Sequence, residues 1–242
     1  MSLECFTDNQ KTILSIDFDR ESTCKQICSY CYVDNMERIY PAYLEKIKRN
    51  TRKVNENAEN FANTLNDEYT KRRKSKSKKY ERLDKLPVRL YGSGDFIPKH
   101  LEFINKLKFK FYIISKNLTR PELQRYIPIL LGNPNLTNLR LSFDAQNMCN
   151  YKNLSGYYGT DRVSLCYTGM PDEFEEQKKL GFKFDTFFNI SDKKIEREKA
   201  KKFNESCPCD AGVMKLQKSC TYCNRCWRSS VTKVPSWNTM PS

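Results

Sequence analysis

The chain has 242 residues, a net charge of +14, one histidine and eleven cysteines. That length holds one large domain, or one domain with a small appendage, and a core that needs no disulfides. A single histidine, His100, excludes a His-rich metal site, and an odd cysteine count excludes a fully paired disulfide framework. No stretch approaches the ~20 apolar residues of a membrane span. Glu4 and Asp8 stand near the start with no apolar run behind them, so no secretory signal is expected. Reduced thiols in the cytoplasm are the matching expectation.

Residues 12–18 (TILSIDF) read as a first strand. Leu14, Ile16 and Phe18 suit a core face, while Ser15 and Asp17 turn the other face polar towards the carboxyl end. A cysteine-bearing loop follows. Residues 36–85 carry no clear strand signal and read as a long helical insertion, with Phe61 and Leu65 one helical turn apart and a basic run at 71–82. Residues 88–91 form a short strand closed by Gly92-Ser93-Gly94-Asp95. A helix at 98–107, a strand at 109–115, and a helix opening at Pro121 and ended or kinked at Pro128 come next. Strands at 139–143, 162–167 and 183–188 complete six, with a charged helix at 171–180 before the last. The alternation predicts a parallel α/β fold or open barrel. The link at 145–161 is rich in Asn, Tyr and Gly, and from about residue 191 a charged helix leads into a cysteine-rich tail.

The cysteines cluster as metal ligands do. Cys24, Cys28 and Cys31 form CxxxCxxC in the loop after the first strand. Three thiolates so close converge on one cluster, and three ligands to a four-iron centre leave one iron open to a small chelating molecule. Zinc, which takes four ligands, lacks a local fourth here.

With Tyr30 as its aromatic position, this run resembles the CxxxCxΦC motif of the radical S-adenosylmethionine (SAM) superfamily. The resemblance covers about residues 12–190. It implies a partial (β/α)6 barrel over 1–190 and a [4Fe–4S] cluster on Cys24, Cys28 and Cys31. SAM then binds the open iron and is reductively cleaved to a 5′-deoxyadenosyl radical. The implied reductant is a one-electron donor such as flavodoxin or ferredoxin.

Ligands of parallel α/β folds bind at the carboxyl ends of strands. Gly92, Ser93, Gly94 and Asp95 sit there on the second strand, where the family has Gly-Gly-Glu against the SAM amino group; here Ser93 replaces a glycine and the acid falls one place later. On the fourth strand Arg140, Ser142 and Asp144 share one face by the period of two. The resemblance assigns Ser142 and Asp144 to ribose, and Ser115 and Lys116, ending the third strand, to the carboxylate. Cys149 and Cys166 stand alone; some members of the superfamily use a cysteine to donate or accept a hydrogen atom, and the other reading is simple packing.

Residues 191–242 form the tail. Cys207-Pro-Cys209, then Cys220-x-x-Cys223-x-x-Cys226-Trp227, give two successive x2 spacings that a remote cysteine, Cys207 or Cys209, would complete. A second [4Fe–4S] cluster and a zinc site both use such spacings. Small phage and viral radical SAM proteins look similar at this end.

The basic run holds Lys71, Arg72, Arg73, Lys74, Lys76, Lys78, Lys79 and Arg82 against Glu81. It predicts an anionic partner, RNA foremost, or a solvated insertion. The expectation is a radical SAM enzyme acting on an unidentified substrate. Its rival is a zinc-stapled nucleic-acid-binding protein without catalysis.

Overall fold

The computed structural model describes residues 4–9, 13–25, 28, 31, 33–191 and 193–207. It is an α/β protein whose seven strands follow one another in the sheet in chain order. The strands run from β1 (Phe6–Asn9) to β7 (Thr186–Asn189). β1 pairs antiparallel with β2 (Ile13–Ile16). No strand was expected at β1, where only Phe6 carries an apolar signal. Tertiary bonds place it: the Cys5 N–H reaches the Glu68 carboxylate at 3.0–3.1 Å, and Asn50 Nδ2 donates to the Cys5 carbonyl at 2.9 Å.

The chain divides into two compact units, Met1–Thr137 and Asn138–Ser242. The first contains α1 (Arg20–Thr23), α2 (Val33–Ile39), α3 (Pro41–Glu56) and α4 (Ala58–Arg73). The 36–85 insertion is therefore mostly three helices, two of them 16 residues long. α3 opens on Pro41, whose missing N–H costs nothing in a first turn. Its buried Ile47, Asn50, Thr51 and Val54 recur at helical spacing. Asn57 stops α3 and caps α4, its side chain accepting from the Asn60 N–H at 2.8 Å.

Then follow β3 (Val88–Leu90), α5 (Leu101–Asn105) and β4 (Phe111–Ser115). β2, β3 and β4 run parallel. Such strands are covered on both faces, and Ser15 and Asp17 are buried along with Leu14, Ile16 and Phe18. Phe18 is the hub of this core, with ring centroids of His100 at 4.5 Å, Tyr91 at 5.5 Å, Phe103 at 5.6 Å and Phe61 at 6.0 Å. α6 (Pro121–Gln124) and α7 (Tyr126–Leu131) come next. The expected break at Pro128 falls earlier: the helix restarts at Tyr126, which puts Pro128 in a first turn where no N–H is needed.

β5 (Leu136–Phe143) begins at the unit boundary. The second unit continues with α8 (Tyr151–Leu154), β6 (Val163–Gly169), α9 (Pro171–Lys179), β7 and α10 (Lys194–Ala200). β5, β6 and β7 are parallel. The aromatic core here is Phe174 stacked on Phe187 at 4.3 Å, with Phe203 edge-on at 5.1 Å. The segment after α10 joins the sheet edge. The Phe187 N–H donates to the Glu205 carbonyl at 2.7 Å, and the Cys207 N–H to the Phe187 carbonyl at 2.8 Å. Among the described residues no helix is long and apolar enough to cross a membrane.

Burial pushes the His100 imidazole down to about 3. The folded state therefore keeps it neutral where the unfolded chain, near 6.5, takes up a proton. This stability is present above pH ~6.5 and lost as pH falls towards 3, at a limiting slope of about 1.4 kcal/mol per pH unit. Urea midpoints of the wild type and His100→Asn between pH 7.5 and 4.5 check it. The wild type should lose stability faster on acidification than the variant, and parallel curves would refute the assignment.

Candidate functional site

The carboxyl ends of β2, β3 and β4 meet the cysteine loop through a dense hydrogen-bond knot inside the first unit. Asp95, at the end of the glycine turn, is its centre. Its Oδ1 accepts from the Phe96 N–H at 2.6 Å and the Ser115 hydroxyl at 2.5 Å. Its Oδ2 accepts from the Lys116 and Asn117 N–H groups, both at 2.9 Å. Burial raises the Asp95 pKa, and these four bonds oppose that shift. A carboxylate offers about four acceptor positions, so Asp95 has its capacity filled by the chain itself. It ties the end of β4 to the turn after β3.

The glycines are needed for the same packing. A Cβ on Gly92 would lie 2.2 Å from Asp17 Oδ1 and 3.1 Å from Ser15 Oγ. Gly94 has φ +76°, and a Cβ there would lie 2.6 Å from Thr23 Oγ1. Ser93 binds the strand before the loop: its hydroxyl donates to the Phe18 carbonyl at 3.0 Å and its N–H to Asp17 Oδ1 at 3.2 Å. Asp17, read from the sequence only as part of a polar strand face, is here a bonding partner of the glycine turn. Its signal was the polar turn of the first strand's second face.

Cys24, Cys28 and Cys31 are all partly exposed, and none is in a disulfide. The Cys24 thiol is pushed up to about 12, first by burial, then by the charges of Asp95, Cys28 and Cys31. Lys116 Nζ lies 3.0 Å from Cys28 Sγ and adds a cation beside the trio. Among the described residues no group of three His, Cys, Asp or Glu side chains stands in the arrangement of a metal site. Tyr30 of the motif lies outside the described residues, as do Cys209, Cys220, Cys223 and Cys226.

In the second unit, Ser142 Oγ lies 3.4 Å from Thr168 Oγ1. Asp144 is buried in a local turn, its Oδ1 accepting from the Gln146 N–H at 3.1 Å and its own N–H donating to Asn147 Oδ1 at 2.7 Å. Cys166 is buried opposite Ser142, Cys149 is exposed, and Cys207 is buried at the β7 edge. Arg140 is fully buried, with its guanidinium 5.2 Å from the Phe188 ring centroid.

The basic run divides by role. Arg72 is buried against Phe6 at 5.1 Å and pairs with Glu4 at 3.0 Å and Glu68 at 3.8 Å. Arg73 pairs with Asp84. Lys71, Lys74, Lys76, Lys78 and Arg82 are exposed. Arg72 thus belongs to the core, and the solvated charge is smaller than the composition of the run implies.

A family model described as gene product 88 matches residues 6–229, so the chain belongs to the gene product 88 family. No curated protein and no solved structure matches it.

Gly92→Ala should destabilise the chain by about 1–3 kcal/mol, because the new methyl overlaps Asp17. Gly156→Ala, with nothing within 4 Å, should be close to neutral. Urea unfolding of both variants checks the contrast.

Proposed function

We propose that this member of the gene product 88 family is a radical SAM enzyme whose fold is a partial (β/α)6 barrel. Cys24, Cys28 and Cys31 would hold a [4Fe–4S] cluster. The observation that carries the reading is the CxxxCxxC run that follows β2 and the short α1, with the chain after β3 and β4 bonded onto its start. When bound, the cluster and SAM supply the reductive cleavage that yields a radical.

The chain's own residues bind and orient. The three thiols are the ligands, and Lys116 brings a positive charge beside Cys28. Thr23 accepts from the Asp95 N–H at 3.0 Å, which fixes the loop one residue before Cys24. Gly92 and Gly94 keep side-chain bulk out of the turn, so its main chain lies close to β2 and the loop. Asp95 and Ser115 hold the end of β4 beside it. The reductant belongs to the flavodoxin or ferredoxin class, the compartment is cytoplasmic, and the tail carries a second [4Fe–4S] cluster or zinc. RNA is the proposed substrate class, on the exposed lysines of the basic run.

Anaerobically reconstituted protein should bind about eight iron and eight sulfide per chain if both clusters form. The Cys24, Cys28 and Cys31 triple alanine variant should lose about four of each and release no 5′-deoxyadenosine with dithionite and SAM. Release unchanged in the triple variant would refute the assignment. Zinc without sulfide in the wild type would support the nucleic-acid-binding alternative.

Replacing Lys71, Lys74, Lys76 and Lys78 by Gln, while sparing the core residue Arg72, should leave SAM cleavage unchanged. RNA binding should weaken, and the salt slope should flatten by about 0.7–0.9 for each phosphate the chain no longer neutralises. Affinities over a salt series check this, and superimposed curves would remove RNA from the proposal.

A further inference from the structure

We infer that Asn117 positions Cys24, and that the Lys116-Asn117 step after β4 is the template on which the cysteine loop is set. The side chain of Asn117 is buried and grips the main chain on both sides of Cys24. Its Nδ2 donates to the Thr23 carbonyl at 2.7 Å, and its Oδ1 accepts from the Lys25 N–H at 3.0 Å. Cys24 itself is extended, at φ −77° and ψ 124°. In extended chain the carbonyl before a residue and the N–H after it face the same side, as in a ladder pair. A carboxamide presents a donor and an acceptor side by side on separate atoms and meets both groups at once; an ionised carboxylate has no donor to offer the carbonyl. Asn117 is held in turn from two directions. Its Nδ2 also donates to the Phe96 carbonyl at 2.9 Å, and its N–H donates to Asp95.

The neighbouring residue addresses a second cysteine, with Lys116 Nζ 3.0 Å from Cys28 Sγ. Two consecutive residues at one strand end therefore meet the backbone around Cys24 and the sulfur of Cys28. Asn117 acts through the loop and is a positioning residue. Its effect on a cluster rests on the radical SAM reading, whereas its grip on Cys24 does not.

The test uses the full chain with Asn117→Ala, Asn117→Asp and a control, Asn133→Ala. Asn133 makes a comparable buried pair of bonds away from the cysteines, donating to the Ile104 carbonyl at 3.1 Å and accepting from the Asn135 N–H at 2.8 Å. Three readouts are taken: amide exchange at Lys25, alkylation of Cys24 relative to exposed Cys149 in metal-free protein, and iron content with the electron paramagnetic resonance signal of the reduced protein before and after SAM.

Asn117→Ala should speed Lys25 exchange and Cys24 alkylation each by about tenfold or more. It should also lower the iron held by the loop and diminish the SAM-induced change in the signal. Asn117→Asp keeps the acceptor for Lys25 but sets oxygen against the Thr23 and Phe96 carbonyls. Cys24 alkylation should then rise while Lys25 exchange stays slow, and this variant decides the matter if Asn117→Ala does not fold. Asn133→Ala should match the wild type in all three readouts. Wild-type Lys25 exchange and Cys24 alkylation in Asn117→Ala, or a control that behaves like it, would overturn the inference. A wild type that takes up no iron would overturn the radical SAM reading, while exchange and alkylation would still decide the role of Asn117.

Discussion

A buried carboxylate left unpaired would be among the most costly groups in a small α/β protein, and Asp95 avoids that cost by accepting four hydrogen bonds at once. Its donors come from two places in the chain, the residue that follows it and the end of β4. The bonds that satisfy the charge therefore also fix how two strand ends meet. The rest of the first unit's site is arranged around this contact: Thr23 receives the Asp95 N–H, and Asn117, itself bonded to Asp95, holds the chain on either side of Cys24.

The same contacts account for the make-up of the turn after β3. Gly92 and Gly94 remain where a Cβ would strike Asp17 or Thr23, and Ser93 occupies the one intervening place where a hydroxyl is useful, donating to the Phe18 carbonyl. The turn is shaped by its contacts with β2 and the cysteine loop. Any ligand at these strand ends meets a surface whose side-chain carboxylate is already engaged.

The two units carry their polar burial differently. In the first, polar side chains bridge main-chain groups across elements: Asn50 spans the Cys5 and Asp17 carbonyls, and Asn66 joins α4 to the segment before β4. In the second, aromatic stacking around Phe174 and Phe187 dominates, and the chain through Cys207 is stitched to the edge of β7 by main-chain bonds. Cys207 is thereby fixed to the sheet, and the expected cysteine-rich tail beginning at 191 is, through Cys207, part of the second unit.

Periodicity and punctuation in the sequence were enough to determine the alternation of strands and helices, six of the strands and the cysteine run behind the first of them. Those features depend on local pattern: apolar runs, prolines at helix starts and the spacing of thiols. β1 was not legible, because its four residues contain one apolar signal and are placed by Glu68 and Asn50 from distant helices. The different jobs of Arg72 and its basic neighbours were hidden for the same reason, since Glu4, Glu68 and Phe6 are remote in sequence. Asp95 was visible as an acid at a strand end, but whether its oxygens face a ligand or the chain depends on where β4 ends. Asn117, one asparagine among many polar turn residues, carries no pattern of its own. Only the tertiary structure brings its carboxamide to the peptide groups on both sides of Cys24, because hydrogen bonds between residues 92 and 94 positions apart leave no trace in local sequence.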